Sequence, residues 1–187
     1  MFFLRFKNKP ALQKGFSLVE ILIVIGILSV LSTVVVTALN IARLKAQTVQ
    51  AEIVINQLNI AIESLAADTG FWPGREAAAG GPEPQEVGKV SCGASASNNE
   101  VQDLGDPQAG LTADSGDYTG WDGPYIREVP LDPWGNKYFF DTDYELDGYE
   151  EGERAVVIGS YGQNGVGNNL YDEDDIIRVI FEGVCAP

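Results

Sequence analysis

Glu20 is the one carboxylate placed where a carboxylate is costly. It stands at the head of Ile21–Leu39, ILIVIGILSVLSTVVVTAL, a run of 19 residues with no charge. An unpaired carboxylate beside such a run is unfavourable in lipid, so Glu20 needs a partner and marks a functional position. Other groups that do chemistry are few. There is no histidine, which removes the usual general base, the Ser-His-Asp and Cys-His arrangements and most zinc sites. No nucleophile–base pair is visible, and the chain reads as a non-enzyme. Cys92 and Cys185 are its two thiols. Two acidic loops complete the inventory. Asp143-x-Glu145-x-Asp147-Gly148 approximates a calcium loop, but Arg154 stands where a bidentate Glu should close it, so a solvated hairpin tip is favoured there. In Asn164–Asp175, glycines at 162, 165 and 167 let carbonyls turn inward, and Asp172, Asp174 and Asp175 add hard oxygens. Calcium is favoured for this second loop over an acidic turn capping a strand.

Charge sets the orientation of these groups. The 187 residues carry 27 acids and 12 bases, a net of -15, while 45% are hydrophobic. Severe charge with that much apolarity excludes wholesale disorder, and so few bases argue against nucleic acid as a partner. Residues 1–15 hold Arg5, Lys7, Lys9 and Lys14 and no acid, so the remaining eight bases face all 27 acids, a net of -19. A helix of 19 residues is roughly 28 Å long, about the thickness of a bilayer's hydrocarbon core. A basic flank before it predicts a single-pass membrane protein with a cytoplasmic N-terminus and the acidic bulk outside. A cleaved secretory signal would need a small-residue site after the run, and none follows Leu39. Export also favours a disulfide between Cys92 and Cys185 over a redox or metal role, since there is no C-x-x-C and no basic neighbour.

The elements follow from periodicity. Ala51, Ile55, Leu58, Ile62 and Leu65 are spaced 4, 3, 4, 3, the stripe of a helix with one face on a core, and Gln47, Gln50, Glu52, Asn59 and Glu63 supply polar positions. No Pro or Gly interrupts Leu28–Thr69, so one helix over 16–69 is expected, ended by Gly70 and Pro73. Residues 75–123 read as a long irregular connection. Tyr138–Asp141, Ala155–Ser160 and Ile176–Phe181 read as strands, with Ile177, Val179 and Phe181 alternating with Arg178, Ile180 and Glu182. The expected fold class is α+β. A long N-terminal helix packs its outer half on a small antiparallel sheet with long irregular loops, and its apolar half is embedded in membrane or filament. Asp132-Pro133-Trp134-Gly135-Asn136 is a turn, with Trp134 as a core anchor rather than a ligand site.

KGFSLVEILIVIGILSV at 14–30 resembles the processing and assembly motif of type IV pilins and type II secretion pseudopilins. Three further segments resemble major pseudopilins: DTGFWPG at 68–74, PYIREVPLDPWGNKYFF at 124–140 and SYGQNGVGNNLYDEDDI at 160–176. Thr37 stands where most of the family has a helix-kinking proline, Asn164 replaces an acid of the family's calcium loop, and the cysteines are atypical. The resemblance implies a pilin fold and a filament subunit, with a prepilin peptidase cutting between Gly15 and Phe16 and methylating the new amine. It implies that Glu20 meets the amine of a neighbouring copy, and that Asn164, Asp172, Asp174 and Asp175 hold calcium. Implied partners are copies of the chain, an inner-membrane assembly platform and minor pilins. The division expected is a leader (1–15), an apolar assembly helix (16–39), its amphipathic outer half (40–69) and an acidic head (70–187). A membrane-anchored extracytoplasmic binding domain that forms no filament is the alternative.

Overall fold

The structure, a computed structural model, describes residues 15–74, 101–144, 153–167 and 173–184. The chain divides into two compact units, Met1–Arg43 and Leu44–Pro187.

Helix α1 is unbroken over Leu18–Thr69. Its start is set locally: the Ser17 backbone N–H donates to Glu20 Oε2 at 3.4 Å, half of the reciprocal arrangement that Ser-x-x-Glu makes at a helix N-terminus. Thr37 causes no break, because unlike proline it keeps its backbone N–H and brings no ring against the preceding turn; its hydroxyl donates to the Val34 carbonyl at 2.9 Å. Gly70, at φ +79°, takes up the left-handed conformation that ends the helix, and its N–H caps the Ala66 carbonyl at 2.9 Å. In the first unit α1 is apolar on every side, and Leu22, Val24, Ile27, Leu31 and Val34 are all exposed. Among the described residues it is the one helix long and apolar enough to cross a membrane.

In the second unit Ala51, Ile55, Leu58, Ile62 and Leu65 form the buried face of α1, at the positions the 4, 3, 4, 3 spacing requires. Asn59, expected among the polar positions, is buried too. It keeps its side chain satisfied by donating from Nδ2 to Glu63 Oε1 at 2.6 Å.

The sheet has three strands in the order β1-β2-β3: β1 (Tyr138–Tyr144), β2 (Glu153–Ser160) and β3 (Ile176–Val184), each antiparallel to its neighbour. All three extend past the apolar runs that predict them; in β1 the register shifts between Asp141 and Tyr144, and pairing resumes with Tyr144 opposite Ala155. Tyr138, Phe140, Val156 and Ile158 point to the α1 side and share its core. The other face is not bare. Phe139, Tyr144, Ala155 and Val157 form a second cluster, with Phe139 stacked on Tyr161 at 4.5 Å between ring centroids. In β3 the strict alternation expected of the strand fails at Ile180. Phe181 pairs with Val156 and Val179 with Val157, so one residue bulges between them. Ile176, Ile180 and Phe181 therefore all pack on the main core, while Ile177 joins the second cluster.

The described part of the expected irregular connection, 101–123, is irregular in backbone but structural in content. It holds a short 3-10 turn at Pro107–Ala109 and a bridge from Val101 to Phe140. It also delivers Leu104, Leu111 and Tyr118 to the core. The Tyr118 hydroxyl donates to the Ala109 carbonyl at 3.2 Å, and Trp121 Nε1 to the Gly110 carbonyl at 2.7 Å. These two bonds fold the segment back on itself.

Candidate functional site

Two places carry the expected functional residues, and they lie in different units. At the first, Gly15 and Phe16 precede α1 in a non-helical, exposed stretch, the condition in which a peptide bond can enter a protease. Glu20 occupies the first turn of α1, where a negative charge also complements the helix dipole. Its contact with the Ser17 N–H gives it a local partner within the chain, a role that Ser17-x-x-Glu20 signals directly.

At the second, the described parts of 160–176 are braced by the turn at 132–136. Asp132 is buried and divides its carboxylate. Oδ1 accepts the Trp134 and Asn136 N–H groups at 3.0 and 2.7 Å, closing the turn, and Oδ2 accepts the Ser160 hydroxyl at 2.6 Å. Asn136 then reaches the same loop, its Nδ2 donating to the Gly162 carbonyl at 2.8 Å. The two ends of the loop meet at Gly162, where φ is +59° and a Cβ would lie 2.0 Å from the Asp174 carbonyl oxygen. A third link joins the end of α1 to the loop that follows: the Tyr125 hydroxyl donates to Asp68 Oδ2 at 2.9 Å. Burial, and the negative charge of Asp68, push the Tyr125 hydroxyl above its ordinary pKa, although an N–H from Asp122 opposes the shift.

Of the four expected calcium ligands, Asn164, Asp174 and Asp175 are described and Asp172 is not. Asn164 Oδ1 accepts the Val166 N–H at 2.7 Å, a turn-forming contact, and Asp175 Oδ2 accepts the Tyr144 hydroxyl at 2.8 Å. Among the described residues no three acidic side chains converge tightly enough to hold a metal ion. Carboxylate and carbonyl oxygens are the donor type that calcium takes, and at Gly162 the start of the loop lies against the Asp174 backbone. Asp174 and Asp175 also line a groove with Leu44, Thr48 and Glu52 of α1 and Trp134. Trp134 packs partly buried on the core, as an anchor should. Cys92, Cys185 and the loop 145–152 lie outside the described residues.

Sequence reasoning on the site missed Asn136 and Ser160 as braces. The DPWGN string signals a turn, but nothing in its spacing names the loop that it holds.

The chain is similar to known proteins over two segments. Residues 11–36 match the prokaryotic N-terminal methylation motif, and residues 106–179 match the family described as type II secretion system (T2SS), protein G. A fimbrial protein of Neisseria meningitidis serogroup B (strain ATCC BAA-335 / MC58) is 33% identical over 76 residues, 41% of this chain and 45% of the relative. The chain thus spans less than half the length of the curated relative it matches. The major pseudopilin from the type 2 secretion system of enterohaemorrhagic Escherichia coli is 20% identical, with 73% of this chain and 85% of that chain covered and a TM-score of 0.38.

Proposed function

We propose that this chain, type IV pilin-like by its N-terminal methylation motif and its protein G segment, is a structural subunit of an extracytoplasmic filament. It is held in the inner membrane as a precursor, N-terminus inside. A prepilin peptidase cuts it after Gly15 and methylates Phe16, and an assembly platform stacks it helix to helix, with minor pilins among its neighbours. The observation that carries this reading is the first half of α1. It is apolar on all sides and exposed throughout, so it requires lipid before assembly and other helices after it. The protein G segment supports a type II secretion pseudopilus as the machine.

Glu20 has two duties in this reading. Within the chain it caps the start of α1, and on docking it meets the Phe16 amine of a neighbouring copy. A carboxylate and an ammonium leaving water together are far less costly than either alone when the geometry is good. Calcium, held by Asn164, Asp172, Asp174 and Asp175, would cross-link the loop 160–176 and offset part of the head's negative charge. The residues do the rest: Asp132 and Asn136 hold the loop's first end, and Gly162 admits its last.

The reading is tested on the full chain expressed with its peptidase and platform. Mass spectrometry of the mature protein should find methylated Phe16 at the N-terminus, and electron microscopy should find filaments. Glu20→Ala should be cleaved normally and fail to assemble. Any other mature N-terminus removes the processing step, and unchanged filaments from Glu20→Ala remove the pairing.

A further inference from the structure

Asn164 and Gly165 form the one asparagine–glycine pair in the chain, and the fold sets the two residues against each other. They lie in the turn at 162–165 that follows β2, and Asn164, Gly165 and Val166 are all exposed. The Val166 N–H donates to Asn164 Oδ1 at 2.7 Å. That bond closes a ring over the intervening Gly165 peptide, so the side-chain amide is folded back along the backbone. It also places a donor where negative charge would develop if the Asn164 Cγ were attacked. The atom positioned to attack is the Gly165 nitrogen. Glycine carries no side chain to keep Cγ away from it. Its N–H rests on the Tyr161 carbonyl at 3.2 Å, the long end of the range for such bonds, and this is the restraint that a reaction must break.

We infer that Asn164 is a site of spontaneous deamidation, with water as the co-reactant. Hydroxide removes the Gly165 amide proton, and the nitrogen's electron pair forms a bond to Asn164 Cγ. The Cγ–Nδ2 bond then breaks, and the departing amide nitrogen takes a proton from water, leaving as ammonia and returning hydroxide. Water next adds to the cyclic imide. Breaking the new bond from Gly165 nitrogen to Cγ leaves an aspartate. Breaking the original bond to the Asn164 main-chain carbonyl carbon leaves an isoaspartate, whose backbone runs through Cγ. Amide and water become acid and ammonia, and nothing is oxidised or reduced.

The other described asparagines are placed differently. Asn136 is followed by Lys137 and gives its Nδ2 to the Gly162 carbonyl at 2.8 Å. Asn40, Asn56 and Asn59 lie inside α1, where helical hydrogen bonds hold the N–H groups that follow them, and Asn59 is buried as well. At Asn164 the product adds a negative charge to a loop that already carries Asp172, Glu173, Asp174 and Asp175. In the calcium reading of this loop, an aspartate would add charge to the ligand set, whereas an isoaspartate would draw its carboxylate one carbon closer to the backbone. Ageing would then divide the subunits into forms of unequal affinity. The modification itself depends on neither the calcium nor the filament reading.

The test incubates the full detergent-solubilised chain, folded and in urea, at mildly alkaline pH, and follows ammonia release, intact mass and peptide maps of the loop. The folded chain should convert Asn164 at least several-fold faster than any other asparagine, give both aspartate and isoaspartate, and react faster as pH rises. Asn164→Gln, whose longer side chain must close a larger ring, should release several-fold less ammonia and show no conversion at this position. Gly165→Ala should slow conversion several-fold. Because Gly165 has φ +63° and a Cβ there would lie 2.8 Å from Asn136 Oδ1, that variant could disturb the turn, and Asn164→Gln, which leaves the backbone alone, is the deciding one. Ammonia lost evenly from all asparagines overturns the inference. So does an Asn164 that keeps its amide in the folded chain while losing it in urea. Filaments play no part in these readouts, so either failure leaves the filament reading standing.

Discussion

The Asp132 carboxylate and the Ser160 hydroxyl, 28 residues apart, are joined by a 2.6 Å hydrogen bond with both residues buried. This bond makes the DPWGN turn a brace for the loop that leaves β2. Asp132→Ala would strand the Ser160 hydroxyl and the Trp134 and Asn136 N–H groups, each at a cost of about 1–3 kcal/mol where no water reaches. A loss of about 3 kcal/mol or more is expected, lowering the melting temperature of the detergent-solubilised chain by roughly 6 °C or more. Asp132→Asn, which keeps one acceptor oxygen, should fall between the two.

Gly162 and Gly135 both have positive φ, at +59° and +97°, but only one of them is crowded. A Cβ at Gly135 meets nothing within 4 Å, while one at Gly162 would overlap the Asp174 carbonyl at 2.0 Å. Gly135→Ala should cost only the conformational penalty, about 1–2 kcal/mol. Gly162→Ala should cost more than that, because backbone must move as well. Equal melting temperatures for the two variants would mean that the loop's ends do not meet there.

Much of this arrangement was legible before the fold. Spacing along α1 identifies the buried face at Ala51, Ile55, Leu58, Ile62 and Leu65, because one helix facing one core leaves a periodic trace. The same logic finds Gly70 as its end. What was not legible depends on contacts between distant residues. Leu104, Leu111 and Tyr118 lie in a Gly- and Asp-rich stretch with no period, and they are held at the core by contacts with distant residues, among them the Val101–Phe140 bridge and the Leu104 N–H on the Tyr138 carbonyl. The bulge at Ile180 is invisible in β3 itself, since it exists only relative to β2. At the site, Glu20 is marked by its chemistry, but Asn136 and Ser160 are marked only by what they touch.

Tyr138 provides a pH test of the core. Its hydroxyl is buried without a hydrogen-bond partner among the described residues, and burial together with the nearby Asp132 charge pushes its pKa up to about 12. The unfolded chain releases this proton near its ordinary value of 10, and the folded chain holds it. Tyr138 therefore contributes stability below pH 10 that is lost as pH rises from there through about 12. Tyr138→Phe should melt at the same temperature as the native chain or higher at pH 7, because it removes an unsatisfied polar group. Between pH 10 and 12 it should lose stability less steeply. Parallel curves for the two proteins would show that Tyr138 does not control the alkaline limb.

Glu20 can act as a cap or as a charge, and two substitutions separate these roles. Glu20→Gln retains an oxygen for the Ser17 N–H and removes the charge, whereas Glu20→Ala removes both. If docking needs the charge for a neighbouring amine, both variants should be cleaved after Gly15 and both should fail to build filaments. Filaments from Glu20→Gln alone would assign Glu20 to capping, a contribution of about 1 kcal/mol at a helix start.

Calcium at the loop 160–176 predicts a ligand-dependent stability. The head carries most of the chain's net negative charge, and a divalent ion held by Asp172, Asp174 and Asp175 would relieve repulsion as well as tie the loop to β3. Calcium at a hundred times its dissociation constant would stabilise the folded chain by about 2.7 kcal/mol, a melting shift of roughly 5–10 °C. A chelator should reverse that shift, and magnesium should not reproduce it, because it resists giving up its water for a loop of carbonyls and carboxylates. Asp174→Ala should melt at one temperature with or without calcium. Asn164→Asp, which adds a charge to the ligand set, should raise the affinity. A native chain indifferent to both calcium and chelator would leave the loop as an acidic turn held by Asp132, Asn136 and Gly162 alone.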